Sequence, residues 1–108
     1  MKEGDIGVEL LFTIERKDGK EIDFSDVDSF TLYMQYEGET EVNSVPLTVV
    51  DETAKTVNYY TVDGDLSQPG KLLLEVKVEM KDGHVFRTKT VKVKVEDSLS
   101  YPEEVQQP

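Results

Sequence analysis

The chain contains no cysteine, no tryptophan and a single histidine among its 108 residues. Without cysteine there is no disulfide framework, no thiolate nucleophile and no cysteine-ligated zinc, and the redox compartment is left open. Positive charge is also scarce: 12 Lys and Arg stand against 23 Asp and Glu, a net charge of −11. A surface of that sign repels the phosphate backbone of DNA or RNA and anionic membranes, so neither nucleic acid nor membrane is an expected partner. No apolar run approaches the roughly 18 residues of a membrane span. The start, Met1-Lys2-Glu3-Gly4-Asp5, lacks the charged and apolar blocks of a signal peptide. A chain of this length fits one core and not two.

Catalytic constellations are missing as well. His84 follows Asp82-Gly83 in a turn with no nucleophile or carboxylate spaced around it as a triad requires, so an exposed structural imidazole is expected. Ser25 and Ser67 sit in Asp-Phe-Ser and Asp-Leu-Ser, not in a Gly-x-Ser-x-Gly elbow, and capping or turn formation accounts for them. Among 23 carboxylates some pair falls at a glycosidase-like separation by chance, which carries no information. Asp63/Asp65 and Asp23/Asp26/Asp28 are the oxygen-rich groups a Ca²⁺ ion could use, yet neither has the 12-residue loop of an EF-hand. No catalytic, cofactor or metal residue is assigned. Tyr33, Tyr36, Tyr59 and Tyr60 could form a carbohydrate platform, but two of them fall on expected core faces and packing is the simpler role.

What the chain does have is alternation. Val8, Leu10, Phe12 and Ile14 share one face of a first strand, with Glu9, Thr13 and Glu15 opposite. Phe30, Leu32, Met34 and Tyr36 repeat the pattern, and Leu72, Leu74, Val76, Val78 and Met80 extend it in the longest strand. Shorter candidates run over 42–50, where Pro46 marks an edge or irregularity, over 56–61, and over 85–95. Turn clusters such as Asp18-Gly19, Glu37-Gly38, Asp63-Gly64, Pro69-Gly70 and Asp82-Gly83 separate them. Helical turns at 23–28 and 65–68, capped by Ser25 and Asp65, are too short to propagate. The expected fold is all-β, an antiparallel sandwich of about seven strands over residues 1–96. Residues 97–108 then form an acidic, proline-containing arm.

The last hairpin carries most of the positive charge. Residues 66–95 hold seven bases and three acids, whereas residues 1–65 hold five and 16, and residues 96–108 hold four acids and no base. Pairing Met80 with Phe86 sets Glu79 opposite Arg87, and one inserted residue near Lys89-Thr90 then aligns Val91, Val93 and Val95 with Val76, Leu74 and Leu72. That arrangement puts Lys92 opposite Glu75, and the insertion is a β-bulge. Lys71, Lys77, Lys81, Lys89 and Lys94 are left without assigned partners, and are expected to face an acidic surface of another copy or another protein. Leu99, Tyr101 and Val105 are apolar side chains that a solvated linker does not need, and mark the arm as a second contact.

In order along the chain stand Gly4-Asp5-Ile6-Gly7 before an apolar strand, Asp18-Gly19-Lys20-Glu21-Ile22-Asp23-Phe24-Ser25, Tyr36-Glu37-Gly38, Tyr59 through Asp65-Leu66 to Pro69-Gly70, Asp82-Gly83 and Val91-Lys92-Val93-Lys94-Val95. Across roughly residues 4–96 this order resembles the immunoglobulin-like domain of bacteriophage upper baseplate proteins and related small tail or neck proteins. The resemblance implies an immunoglobulin-like sandwich without enzymatic activity or cofactor. It also implies a place in the virion, assembly with other copies and other virion proteins, and a link to fibre or receptor-binding proteins. The antibody-type cysteine pair and buried tryptophan are absent. A bacterial cell-surface or carbohydrate-binding sandwich remains an alternative, and a small enzyme would require a pocket holding a perturbed acid or base.

Overall fold

The computed structural model describes residues 1–16 and 22–97. Among these described residues eight strands form two antiparallel sheets: β1 (Glu9–Thr13), β2 (Val27–Tyr36), β3 (Asn43–Pro46), β4 (Thr48–Asp51), β5 (Thr56–Tyr60), β6 (Gly70–Met80), β7 (Val85–Arg87) and β8 (Val91–Val95). The smaller sheet has the order β1-β5-β4. The larger has β3-β2-β6-β7, with β8 also on β6, so that β7 and β8 flank successive halves of the longest strand.

The two sheets form a sandwich because each strand has one dry side. Leu10 and Ile14 from the first strand and its exit, Phe30, Leu32 and Met34 from β2, Val57 from β5, and Leu72, Leu74, Val76 and Val78 from β6 are buried together. Val8 and Phe12 pack at the margin of the same core. The alternation therefore reports the true inner face in all three long segments. Region 42–50 divides at Pro46. A proline lacks the N–H that a ladder needs, and here the chain leaves β2 and crosses to the other sheet. Leu47 N–H donates to Phe30 O at 3.0 Å at the crossing.

The connections refine two expected caps. A single 3₁₀ turn spans Phe24–Asp26, and its N-cap is Asp23 rather than Ser25: Asp23 Oδ1 accepts from Ser25 N–H at 2.9 Å and from Ser25 Oγ at 2.7 Å. These bonds, the side-chain one foremost, lower the Asp23 pKa. Residues 63–66 make a turn and no helix. Asp65 reaches backwards, accepting from Tyr59 Oη at 2.6 Å and from Val62 N–H at 2.8 Å. At the N-terminus, Glu3 N–H donates to Glu96 O and Glu96 N–H to Met1 O in a parallel bridge beside β8. Gly4 and Gly7 then bond to Leu66 and Thr61 as the chain passes to the smaller sheet.

Candidate functional site

The outward face of the larger sheet gathers the charged hairpin. In the β6–β7 register Lys77 lies opposite Arg87, Val78 opposite Phe86 and Glu79 opposite Val85. In the β6–β8 register Lys71 lies opposite Lys94, Leu72 opposite Val93, Leu73 opposite Lys92 and Leu74 opposite Val91. Opposed residues share a face, so Lys71, Lys77, Arg87, Lys92 and Lys94 project together on the side away from the core. Glu75 and Glu79 are the acids of β6 on this face, and Leu73 lies there with them.

This register corrects the expected one by two residues. The turn is Lys81-Asp82-Gly83, closed by Met80 N–H to His84 O at 2.8 Å and Gly83 N–H to Met80 O at 3.0 Å, with Gly83 at φ 94. A glycine in this left-handed conformation after a tight turn is the form that three-residue hairpin loops favour. Met80 therefore meets His84 and not Phe86. A shift of two leaves every inward residue inward but exchanges all partners. Glu79 is not opposite Arg87; it holds Lys77, Nζ to Oε1 at 2.8 Å, which raises the Lys77 pKa. Arg87 lies over the Tyr33 ring, 4.8 Å from its centroid. Lys92 is opposite Leu73 rather than Glu75, and approaches Glu37 at 3.4 Å.

The expected inserted residue is present. Thr88 N–H donates to Val76 O at 2.8 Å, and the next opposed pair is Leu74 with Val91, so Lys89 and Thr90 together face Glu75. Two residues against one is the count of a β-bulge. Thr88 Oγ1 accepts from Val76 N–H at 3.0 Å, taking the place that a straight strand would give to a backbone carbonyl.

Of the five lysines assigned to an interface, Lys71, Lys77 and Lys94 lie on this face. Lys81 is in the hairpin turn, and Lys89 lines a separate groove between the sheets beside Phe12, Ile14 and Val91. Lys77 has an ion-pair partner; Lys71, Lys81, Lys89 and Lys94 have none among the described residues. Leu99, Tyr101 and Val105 lie outside the described residues. Sequence reasoning assigned Arg87 and Lys92 to internal pairs, and weighed Tyr33 only as part of a carbohydrate platform, with no signal for its place beneath Arg87. Tyr33 lines a shallow groove of about 370 Å³ with Gln35, Val42, Leu73, Glu75 and Arg87. The turn type, a glycine three residues after Met80, was the available signal for the true register.

The remaining candidates have local roles. His84 is exposed, with Nδ1 2.9 Å from Asp82 Oδ2. The His84 backbone N–H, foremost, and this ring contact lower the Asp82 pKa. No metal-holding group of three or more His, Cys, Asp or Glu occurs among the described residues. Of the four tyrosines weighed as a platform, Tyr33 lies beneath Arg87, Tyr59 donates to Asp65, and Tyr60 alone is largely exposed. Tyr36 Oη is shut off from solvent, and burial raises its pKa while the nearby Gln68 backbone opposes that rise. No family model matches the chain, and no curated protein or solved structure is significantly similar to it.

Proposed function

We propose that the protein is a non-enzymatic structural component of a bacteriophage virion, in the tail, baseplate or neck, where it assembles as an oligomer and connects fibre or receptor-binding proteins to the particle. The observation that carries this reading is strand order. The orders β1-β5-β4 and β3-β2-β6-β7/β8 are compatible with B-E-D and C′-C-F-G sheets of an immunoglobulin-like sandwich, and that compatibility supports the reading. This is in keeping with the family resemblance of residues 4–96, which rests on turn chemistry and strand pattern. The exposed cationic face and the acidic remainder of the molecule favour contacts between unlike surfaces, and such heterologous contacts form a ring where the rotation between copies closes.

Quantitative mass spectrometry of gradient-purified particles, with gold-labelled antibody in negative stain, tests the reading. The expected result is the protein in the particle at a copy number matching the tail symmetry, with label at one axial position. Absence from the particle and recovery in the bacterial envelope overturns it in favour of a cell-surface module. Saturable turnover of a polysaccharide or ester, abolished by one carboxylate or serine substitution, overturns the non-enzymatic part.

A further inference from the structure

The cationic face is arranged against its own interest. Lys71 opposes Lys94 and Lys77 opposes Arg87, two cross-strand pairs of like charge on one face of a chain with 23 acids. Directly opposed like charges destabilise a sheet. Glu79 relieves Lys77, but Lys71 and Lys94 are exposed and have no ion pair among the described residues, although Glu96 and Asp97 border the same hollow. Between the two pairs apolar and polar side chains mix: Leu73, half-buried on β6, and Val42, half exposed, flank Tyr33 in the groove under Arg87, which Gln35, Glu75 and Thr90 also line. A ligand for this surface combines carboxylates with apolar side chains in an extended segment.

Residues 98–108 have that composition: Glu103 and Glu104 with Leu99, Tyr101 and Val105, and no base. We propose that this segment of one copy docks on the outward face of the larger sheet of a second copy, its carboxylates meeting Lys71, Lys94 and Arg87 and its apolar side chains the groove at Tyr33 and Leu73. The docking rests on the oligomeric reading above and names the contact that makes the oligomer. The 11 residues after Asp97 span about 36 Å when extended, enough to cross to a neighbour. β8 delivers the chain at Asp97 heading away from Arg87, so reaching its own face demands a reversal within a few residues that docking on a neighbour does not.

The test is sedimentation equilibrium of the full chain at 50 and 500 mM salt, with three variants: Lys71→Glu with Lys94→Glu, Glu103→Lys with Glu104→Lys, and all four together. The wild type is expected to self-associate at low salt and to weaken about tenfold at 500 mM, where screening is short-ranged. Each double variant is expected to weaken association about tenfold at low salt, and the fourfold variant to recover it. Lys71→Gln with Lys94→Gln, followed by far-UV circular dichroism, separates lost charge from lost fold. An oligomer indifferent to all of these substitutions overturns the proposal while leaving the oligomeric reading intact. A monomer at every concentration, with the arm's amides protected equally at all dilutions, overturns it in favour of docking within one chain. Presence in particles is a separate measurement and is unaffected by either result.

Discussion

Replacing Thr88 by valine removes one oxygen and almost no volume, and isolates the device that bends the last strand. In the wild type Thr88 N–H donates to Val76 O and Thr88 Oγ1 accepts from Val76 N–H. Val76 is 1% exposed in the centre of β6, so its N–H has little access to water once the oxygen is gone. An orphaned buried donor costs about 1–3 kcal/mol, and the added methyl at the half-buried Thr88 position returns only a fraction of that. Taking about 2 kcal/mol, and an unfolding entropy of about 0.23 kcal/mol/K for a domain of this length, the midpoint falls by about 9 °C. In urea the same loss moves the midpoint by about 1 M. Tyrosine fluorescence follows the transition, and amide exchange adds the local readout: the Val76 N–H should lose protection relative to Val78. Thr88→Ser keeps the acceptor and should lose less than half as much. Equal, small effects from serine and valine, below about 0.3 kcal/mol, would refute the side-chain acceptor and with it the bulge.

Three further outcomes follow from the same coordinates. Leu32→Ala empties a fully buried site that lies opposite both Val76 and Val45, and should cost about 3–4 kcal/mol in urea unfolding, a large share of a domain's stability. Gly83→Ala places a Cβ on a residue at φ 94 and should cost about 1 kcal/mol in the same assay, although nothing lies near that Cβ. Burial, and then the hydrogen bond to Asp65, push the Tyr59 hydroxyl up to about 12 from 10. Because the folded state holds that proton more tightly, this stabilisation is fully present below pH 10 and is lost as pH rises through about 12. Alkaline melting curves should lose that decline in Tyr59→Phe, and an unchanged pH slope would sink the assignment.

The sandwich was legible because burial writes itself at period two. Leu32, Leu72, Val76 and Val78 are almost wholly removed from water, and alternation alone places each on a dry face. Pro46 was legible for a covalent reason, having no N–H to give to a ladder. The caps were less so, because Asp23 and Ser25 are both good N-caps two residues apart, and only the geometry of Phe24 entering the core assigns the role to Asp23. Asp65 looked like the start of a turn, yet its carboxylate closes the preceding one by holding Tyr59, a contact between residues whose spacing alone carries no signal.

Partnering across the last hairpin was the least legible feature, and the reason lies in parity. Moving the turn's centre from Gly83 to Asp82 shifts the register by two, so hydrophobic alternation is satisfied equally by both registers and cannot choose between them. Charge could have chosen, but pairing opposite signs selects Glu79 with Arg87 and Glu75 with Lys92, and the structure instead opposes Lys77 to Arg87 and Lys71 to Lys94. The unfavourable pairs are tolerated because exposed like charges cost less than about 1 kcal/mol per pair. Gly83, by contrast, supplies the left-handed residue this loop requires, in a place where any other residue is strained. The backbone term decides the register and the charges follow it. The cationic face itself is common to both registers, since the bases are crowded between residues 66 and 95, and turn geometry decides that they oppose one another across it. An acidic partner gains most where that geometry leaves Lys71 and Lys94 opposed and without an ion pair.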